Sequence, residues 1–395
     1  MIERGRQWGW AAGAVAVALL AVWLRASPAL FIHGASGLID WNYTQLLFRY
    51  DAGFIKRGLL GTLLGWLPGT LDYATASRVA YALLGVLAVA FLLPFVRVWR
   101  AAEGRAGALW LLLLAVTSPA TLGHFARDVG RTDAVVLALA IALLLGLGRL
   151  GGARRGAAAA LVLSVNGAAI LIHEAAFFMV VPLTLAFWHY RDAARAALAW
   201  QGACLAALTA LTYLVSTRGG FDAVPLAERF AELQSAYGAH VDKGSLSVLY
   251  HTGLAENVRH TLAEGFRPAR LAHHAVLLAA LLPFGYVAVR VLAAVRRDMS
   301  VRAWLLLAAA FSPLALYPLG HDHFRWWSLA ITNALVAFAL LCRAEGAVAE
   351  RALACLEASR RWVWAALLLA LVTGPLGVVT SVDVAAALPW LETLR

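Results

Sequence analysis

The chain has 395 residues, 62% of them hydrophobic and 14% charged, with a formal net charge of +11. Its mean hydropathy is +0.75 and its apolar runs recur along the whole length, which excludes an ordinary soluble domain with a single core. The basic residues flank the apolar runs as topology determinants do, so no nucleic-acid partner is implied, and Cys204, Cys342 and Cys355 have neither disulfide nor metal-ligand spacing.

A helix needs about 20 apolar residues to cross a bilayer, and lipid tolerates only helices or closed barrels. Runs this long and this rich in Leu and Ala are helices. The expected fold is therefore all-α, one polytopic transmembrane domain over 1–395 with about eleven spans. These are 8–24, 79–96, 108–123, 134–148, 157–172, 175–189, 197–216, 273–293, 303–319, 327–342 and 362–381. The first follows Arg4 and Arg6 as a signal peptide does, but no small-residue cleavage site follows it, so it reads as an uncleaved span. Two segments between spans are long, 25–78 and 217–272. The first contains GLLGTLLGWLPG, which predicts a short interfacial helix stopped at Pro68; the second contains a helix-like AERFAELQSAYG.

With the amino terminus inside, the inner segments hold Arg97, Arg100 and Arg105, then Arg149, Arg154 and Arg155, then Arg191 and Arg195. Later inner segments hold Arg290, Arg296, Arg297 and Arg302, and finally Arg343, Arg351, Arg360 and Arg361. This is the bias that sets orientation in the cytoplasmic membrane. These inner arginines are expected to stand mostly alone, with few acids, and both lysines, Lys56 and Lys243, fall outside.

The mixed-charge clusters all land on the outer side: DWNYTQ (40–45), RYDAGFIKRG (49–58), HFARDVGRTD (124–133), HE (173–174) and HDHFRWW (321–327). Ionisable residues at membrane depth are costly, so clusters from several loops on one side read as a polar, outward-facing site. Asp40, between aromatic and apolar neighbours, reads either as a loop-helix cap or as a partly desolvated general base. Asp51 is the rival base, better suited to ion pairing beside Arg49, Lys56 and Arg57. Asp133 precedes a span and reads as its cap or as a site acid, with Arg127, Asp128 and Arg131 beside it able to contact phosphate or sugar hydroxyls. His173 and Glu174 read as a satisfied pair at a tight turn or as site residues. His321, Asp322 and His323 lack the i, i+4 spacing of a metal motif, so no metal and no other cofactor is implied. Arg325, between aromatics, suits a lipid-linked phosphate.

At these residues the chain resembles the GT-C glycosyltransferases, polytopic membrane enzymes that use polyprenyl-phosphate sugars. DWNYTQ, with Asp40, Trp41 and Gln45 soon after the first span, is similar to that superfamily's catalytic-acid loop, and RDVGRTD is similar to its second outer loop. Many members carry a second acid two residues after the first; here that position is Asn42, in keeping with monophosphate donors that need no metal. The resemblance implies a hexosyl or pentosyl transferase working on the outer face. Asp40 would be the base, Lys56, Arg57, Arg131 and Arg325 would hold the donor phosphate, and the acceptor would be a glycan, lipid or protein hydroxyl. Alternative readings are an envelope polysaccharide polymerase or ligase, with 217–272 as its Arg- and His-rich loop, and a lipid or solute transporter.

Overall fold

The structure, a computed structural model, describes residues 2–26, 38–150, 154–221, 224–250, 258–259, 261–263, 268–320 and 322–377. Every regular element among the described residues is helical. In chain order these are α1 (Ile2–Ala26), α2 (Asp40–Leu46), α3 (Gly58–Leu64), α4 (Tyr73–Ala101), α5 (Ala106–Thr117) and α6 (Leu122–Arg127). They continue as α7 (Asp133–Leu147), α8 (Arg155–Ile172), α9 (Ala176–Arg191), α10 (Arg195–Arg218), α11 (Leu226–Tyr237) and α12 (Lys243–Ser247). The last are α13 (Pro268–Val295), α14 (Val301–Ala309), α15 (His323–Ala344), α16 (Gly346–Ala358) and α17 (Arg360–Thr373), with 3-10 turns at Tyr50–Ala52 and Ser312–Leu316.

Among the described residues six stretches are long and apolar enough to cross a membrane: α4, the run Ala106–Arg127, α8, α10, Leu271–Val295 within α13, and α15. Ala12–Leu24 and α7 are shorter apolar helices. A short helix, α3, forms after Arg57 as expected, and AERFAELQSAYG forms most of α11. Two expectations are corrected. The run 303–319 is broken, because α14 stops at Ala309 and the chain turns through Ser312–Leu316, where Pro313 lacks an N–H and disfavours helix in the residue before it. The stretch expected as a loop between the last two spans folds as α16, which buries Val348, Ala352, Leu353 and Leu356 at helical spacing.

The chain divides into two compact units. A terminal unit comprises Met1–His33, Ala88–Arg127 and Glu256–Arg395, and an inserted unit comprises Gly34–Leu87 and Asp128–Ala255. In the terminal unit α5 packs against α1, α16 and α17, and α13 packs against α16 and α17. Contact between α5 and α16 is close enough that a Cβ on Gly107 would lie 2.8 Å from the Leu353 carbonyl carbon and closer still to its oxygen. Glu357 then accepts from the Gly107 N–H at 3.0 Å and from Arg105 at 3.1 Å. Arg351 meets Asp298 at 3.0 Å. Beyond the other end of α5, Ala120, Leu277, Ala280, Phe324 and Leu376 form an apolar cluster.

In the inserted unit α7, α8, α9 and α10 form a helical bundle. Asn166 of α8 donates to Thr184 of α9 at 3.0 Å inside it, and Arg155 pairs with Asp192 at 2.8 Å where α8 begins and α9 has ended. The arginine-rich segments expected to share a side thus meet one another within each unit. The expectation that their arginines stand alone is corrected, since Arg105, Arg155 and Arg351 each meet an acid. Many apolar residues face outward: only 22% of the apolar window of α10 is buried, with Leu205, Tyr213 and Leu214 exposed. Apolar flanks of this kind suit helices bathed in lipid rather than water.

Candidate functional site

The inserted unit holds α2 together with the predicted clusters 49–58 and 173–174 and residues 128–133 of a fourth. This helix buries Asn42 through Leu46 and leaves its first residue, Asp40, with 52% of its side chain exposed. The segment before and through α12 holds it in place. Asp242 donates its N–H to Thr44 Oγ1 at 2.7 Å, and Ser245 Oγ donates to the Trp41 carbonyl at 2.9 Å. Tyr43 donates to the carbonyls of Leu71 at 3.1 Å and Tyr237 at 3.3 Å. Burial, helped by the nearby Asp72, pushes its phenol up to about 12, so the hydroxyl stays protonated. Gln45 is buried inside this assembly.

Asp40 does not stand alone. His240 Nδ1 lies 2.9 Å from Asp40 Oδ1, and the imidazole stacks on Tyr73 with centroids 3.9 Å apart and planes 20° off parallel. Tyr73 is itself fixed, because its hydroxyl donates to the Leu38 carbonyl and its ring meets Tyr43 edge-on at 5.3 Å. The Asp40 carboxylate is about half exposed and is ordered by a histidine 200 positions away.

Two residues further into α2, Asn42 Nδ2 donates to Asp128 Oδ1 and to the Val129 carbonyl, both at 2.9 Å. Asp128 forms an ion pair with Arg131. Asp133 is buried as the first residue of α7, while Thr132 holds the capping position without a side-chain capping bond. The capping role expected for Asp133 is therefore corrected by one position, though a carboxylate in the first turn still suits the helix dipole.

Lys56 and Arg57 lead into α3, which packs against α2 and α8. Arg57 Nε and Nη2 grip Glu174 at 2.9 and 2.6 Å, a bidentate fork between the loop before α3 and the turn after α8. Burial alone would raise the Glu174 carboxyl, but Arg57, with His173 and Lys56 adding to it, holds it well below its ordinary value. Lys56 is buried, and burial lowers its ammonium despite the attraction of Glu174. Its own N–H donates to the Gly219 carbonyl at 2.8 Å. His173 accepts the Ala175 N–H on Nδ1 at 3.2 Å, and that nitrogen lies 3.7 Å from Glu174, beyond hydrogen-bond reach. Glu174 thus answers Arg57 rather than its sequence neighbour. Asp51 is exposed and pairs with Arg49 at 3.4 Å.

No family model matches the chain, and no curated protein or solved structure matches it. The site is therefore read from its own chemistry. It offers an exposed carboxylate–imidazole pair on an aromatic floor, together with a Lys56–Arg57–Glu174 group in which two cations face one carboxylate. Such an arrangement can take a proton from a hydroxyl and favours an anion beside it.

The other predicted residues lie in the terminal unit or outside the described residues. Arg127 ends α6, and His124 in that helix is buried with Nδ1 2.9 Å from the Leu376 carbonyl. His321 lies outside the described residues. Asp322 pairs with Arg325 at 3.0 Å, and Arg325 also lies over the Trp326 ring at 4.6 Å. His323 stacks on Tyr317 at 4.4 Å, and the Tyr317 hydroxyl accepts from Trp327 Nε1 at 2.5 Å. His240, Tyr73 and Tyr317 are absent from the sequence-based site. Only His240 had a signal, its place in the Arg- and His-rich 217–272 segment, and nothing local tied it to Asp40.

Proposed function

We propose that the chain is a membrane glycosyltransferase of GT-C type, which moves a sugar from a polyprenyl-phosphate donor to an acceptor hydroxyl at the outer face of the cytoplasmic membrane. The observation that carries this reading is the exposed Asp40–His240 pair in the same unit as the Lys56–Arg57–Glu174 group. A base on one side of the reaction and a net positive group for the departing phosphate are what an inverting transfer requires. As the anomeric bond breaks, negative charge grows on the phosphate, and fixed cations stabilise that state more than the ground state. Arg131, already paired with Asp128, serves this reading as a fixed part of the wall. An arrangement of about eleven spans with the amino terminus inside belongs to the same proposal, supported by the six span-length apolar stretches and the two shorter apolar helices among the described residues.

Purified protein in liposomes, given a polyprenyl-monophosphate sugar and an acceptor glycan, is expected to release polyprenyl phosphate and form an inverted glycoside. Asp40→Asn lowers the rate by about 10²- to 10⁴-fold at normal expression. Full activity of Asp40→Asn would remove Asp40 from the mechanism. A polymerase or ligase is the second reading, favoured by the fact that His240 comes from the long 217–272 segment. It predicts that a diphosphate-linked oligosaccharide, and not the monophosphate sugar, is consumed.

A further inference from the structure

We infer that His240, rather than Asp40, is the atom-level proton acceptor of this site, with Asp40 as the residue that holds it. The inference rests on the glycosyltransferase reading for its reaction and on the geometry for its residues. Asp40 Oδ1 lies 2.9 Å from Nδ1, so an ionised carboxylate there selects the tautomer with its proton on Nδ1 and the lone pair on Nε2. Among the described residues Nε2 meets no hydrogen-bond partner, and 52% of the side chain is exposed, so a bound hydroxyl can reach it. Stacking on Tyr73, whose hydroxyl is tied to Leu38, fixes the ring plane and removes the rotamer freedom a surface histidine normally has. With Oδ1 engaged by Nδ1, the lone pair left facing the open side is that of Nε2, and a hydroxyl proton is accepted there.

In the step this implies, the acceptor O–H bond breaks towards Nε2 while its oxygen forms a bond to the anomeric carbon. The bond from that carbon to the phosphate oxygen breaks, and its electron pair leaves with the lipid phosphate. The imidazolium, stabilised by Asp40, then gives its proton to water. Sugar hydroxyls are the acceptor class that the glycosyltransferase reading brings to the open Nε2.

Two measurements decide it. In the transfer assay, His240→Ala is expected to lose about 10²-fold or more in kcat and to regain part of it with added imidazole, whereas Asp40→Asn is not rescued by imidazole. His240→Ala at the wild-type rate would overturn the inference and leave Asp40 acting directly; failure of the wild-type protein to use any lipid-linked sugar would overturn the glycosyltransferase reading instead. Ring ¹⁵N spectra of histidine-labelled protein, with the His240 signal assigned by its loss in His240→Gln, do not depend on the reaction. The Nδ1–H tautomer is expected near neutral pH, moving to Nε2–H in Asp40→Asn. An imidazolium, or an Nε2–H ring in the wild type, would overturn the inference whatever the substrate.

Discussion

Arg57 adopts a left-handed backbone, with φ 63°, at the entry to α3. A side-chain-bearing residue there loses about 1–2 kcal/mol relative to ordinary backbone, and the two-toothed contact with Glu174 offsets that loss. Glu174→Gln keeps the shape but gives up the charge, and is expected to lower stability by about 2 kcal/mol, read as a fall in the thermal midpoint in detergent. Acid should act in the same direction. Because Glu174 is held well below the usual glutamate value of 4.5, the pair contributes in full above that value. Its contribution fades as the pH falls from there through the depressed value. Thermal midpoints measured from about pH 6 down to about pH 3 should therefore converge for wild type and Glu174→Gln. A constant gap between them would show that the charge of Glu174 is not what matters.

Among the elements, α2 and α3 meet at Gly61, where a Cβ would lie 2.7 Å from the Leu46 carbonyl oxygen and 2.9 Å from the Phe48 carbonyl carbon. Backbone on both sides cannot give way as a side chain does. Gly61→Ala is expected to cost about 1–3 kcal/mol and to move Lys56 and Arg57 away from the end of α2, visible as a lower thermal midpoint together with weaker donor use. How far such elements can be read in advance depends on whether their cause is local. The apolar runs, α3 before Pro68 and α11 follow from short-range composition and were legible. So, in principle, were the break at Pro313 and helix α16, whose Val348, Ala352, Leu353 and Leu356 stripe is hidden only by the small residues and arginines around it. Asp40 stood out by its aromatic neighbours and its nearness to the first span. Its partner did not, because the Asp40–His240 and Arg57–Glu174 pairings join positions 200 and 117 residues apart. Contacts of that range leave no period or spacing in the sequence.

For the whole molecule, the proposed orientation places Asp51 and Lys243 on one side of the membrane and Arg351 on the other, and all three are surface residues. In a background without Cys204, Cys342 and Cys355, Asp51→Cys and Lys243→Cys are expected to react with a membrane-impermeant maleimide on intact cells. Arg351→Cys should react only after permeabilisation, and the opposite pattern would reverse the orientation. The Glu357 contact with Gly107 bridges 250 positions, and it sets an order of events during synthesis. The inserted unit is complete in sequence once Ala255 has been made, with Asp40, His240, Arg57 and Glu174 all present. The terminal unit at that moment has only α1, part of α4, α5 and α6, and the notch at Gly107 is empty until α16 is translated more than 200 residues after α5. The unit that carries the candidate site can therefore mature on the ribosome, while α5 stays dependent on lipid or on the insertion machinery for its unfilled face until the last helices arrive.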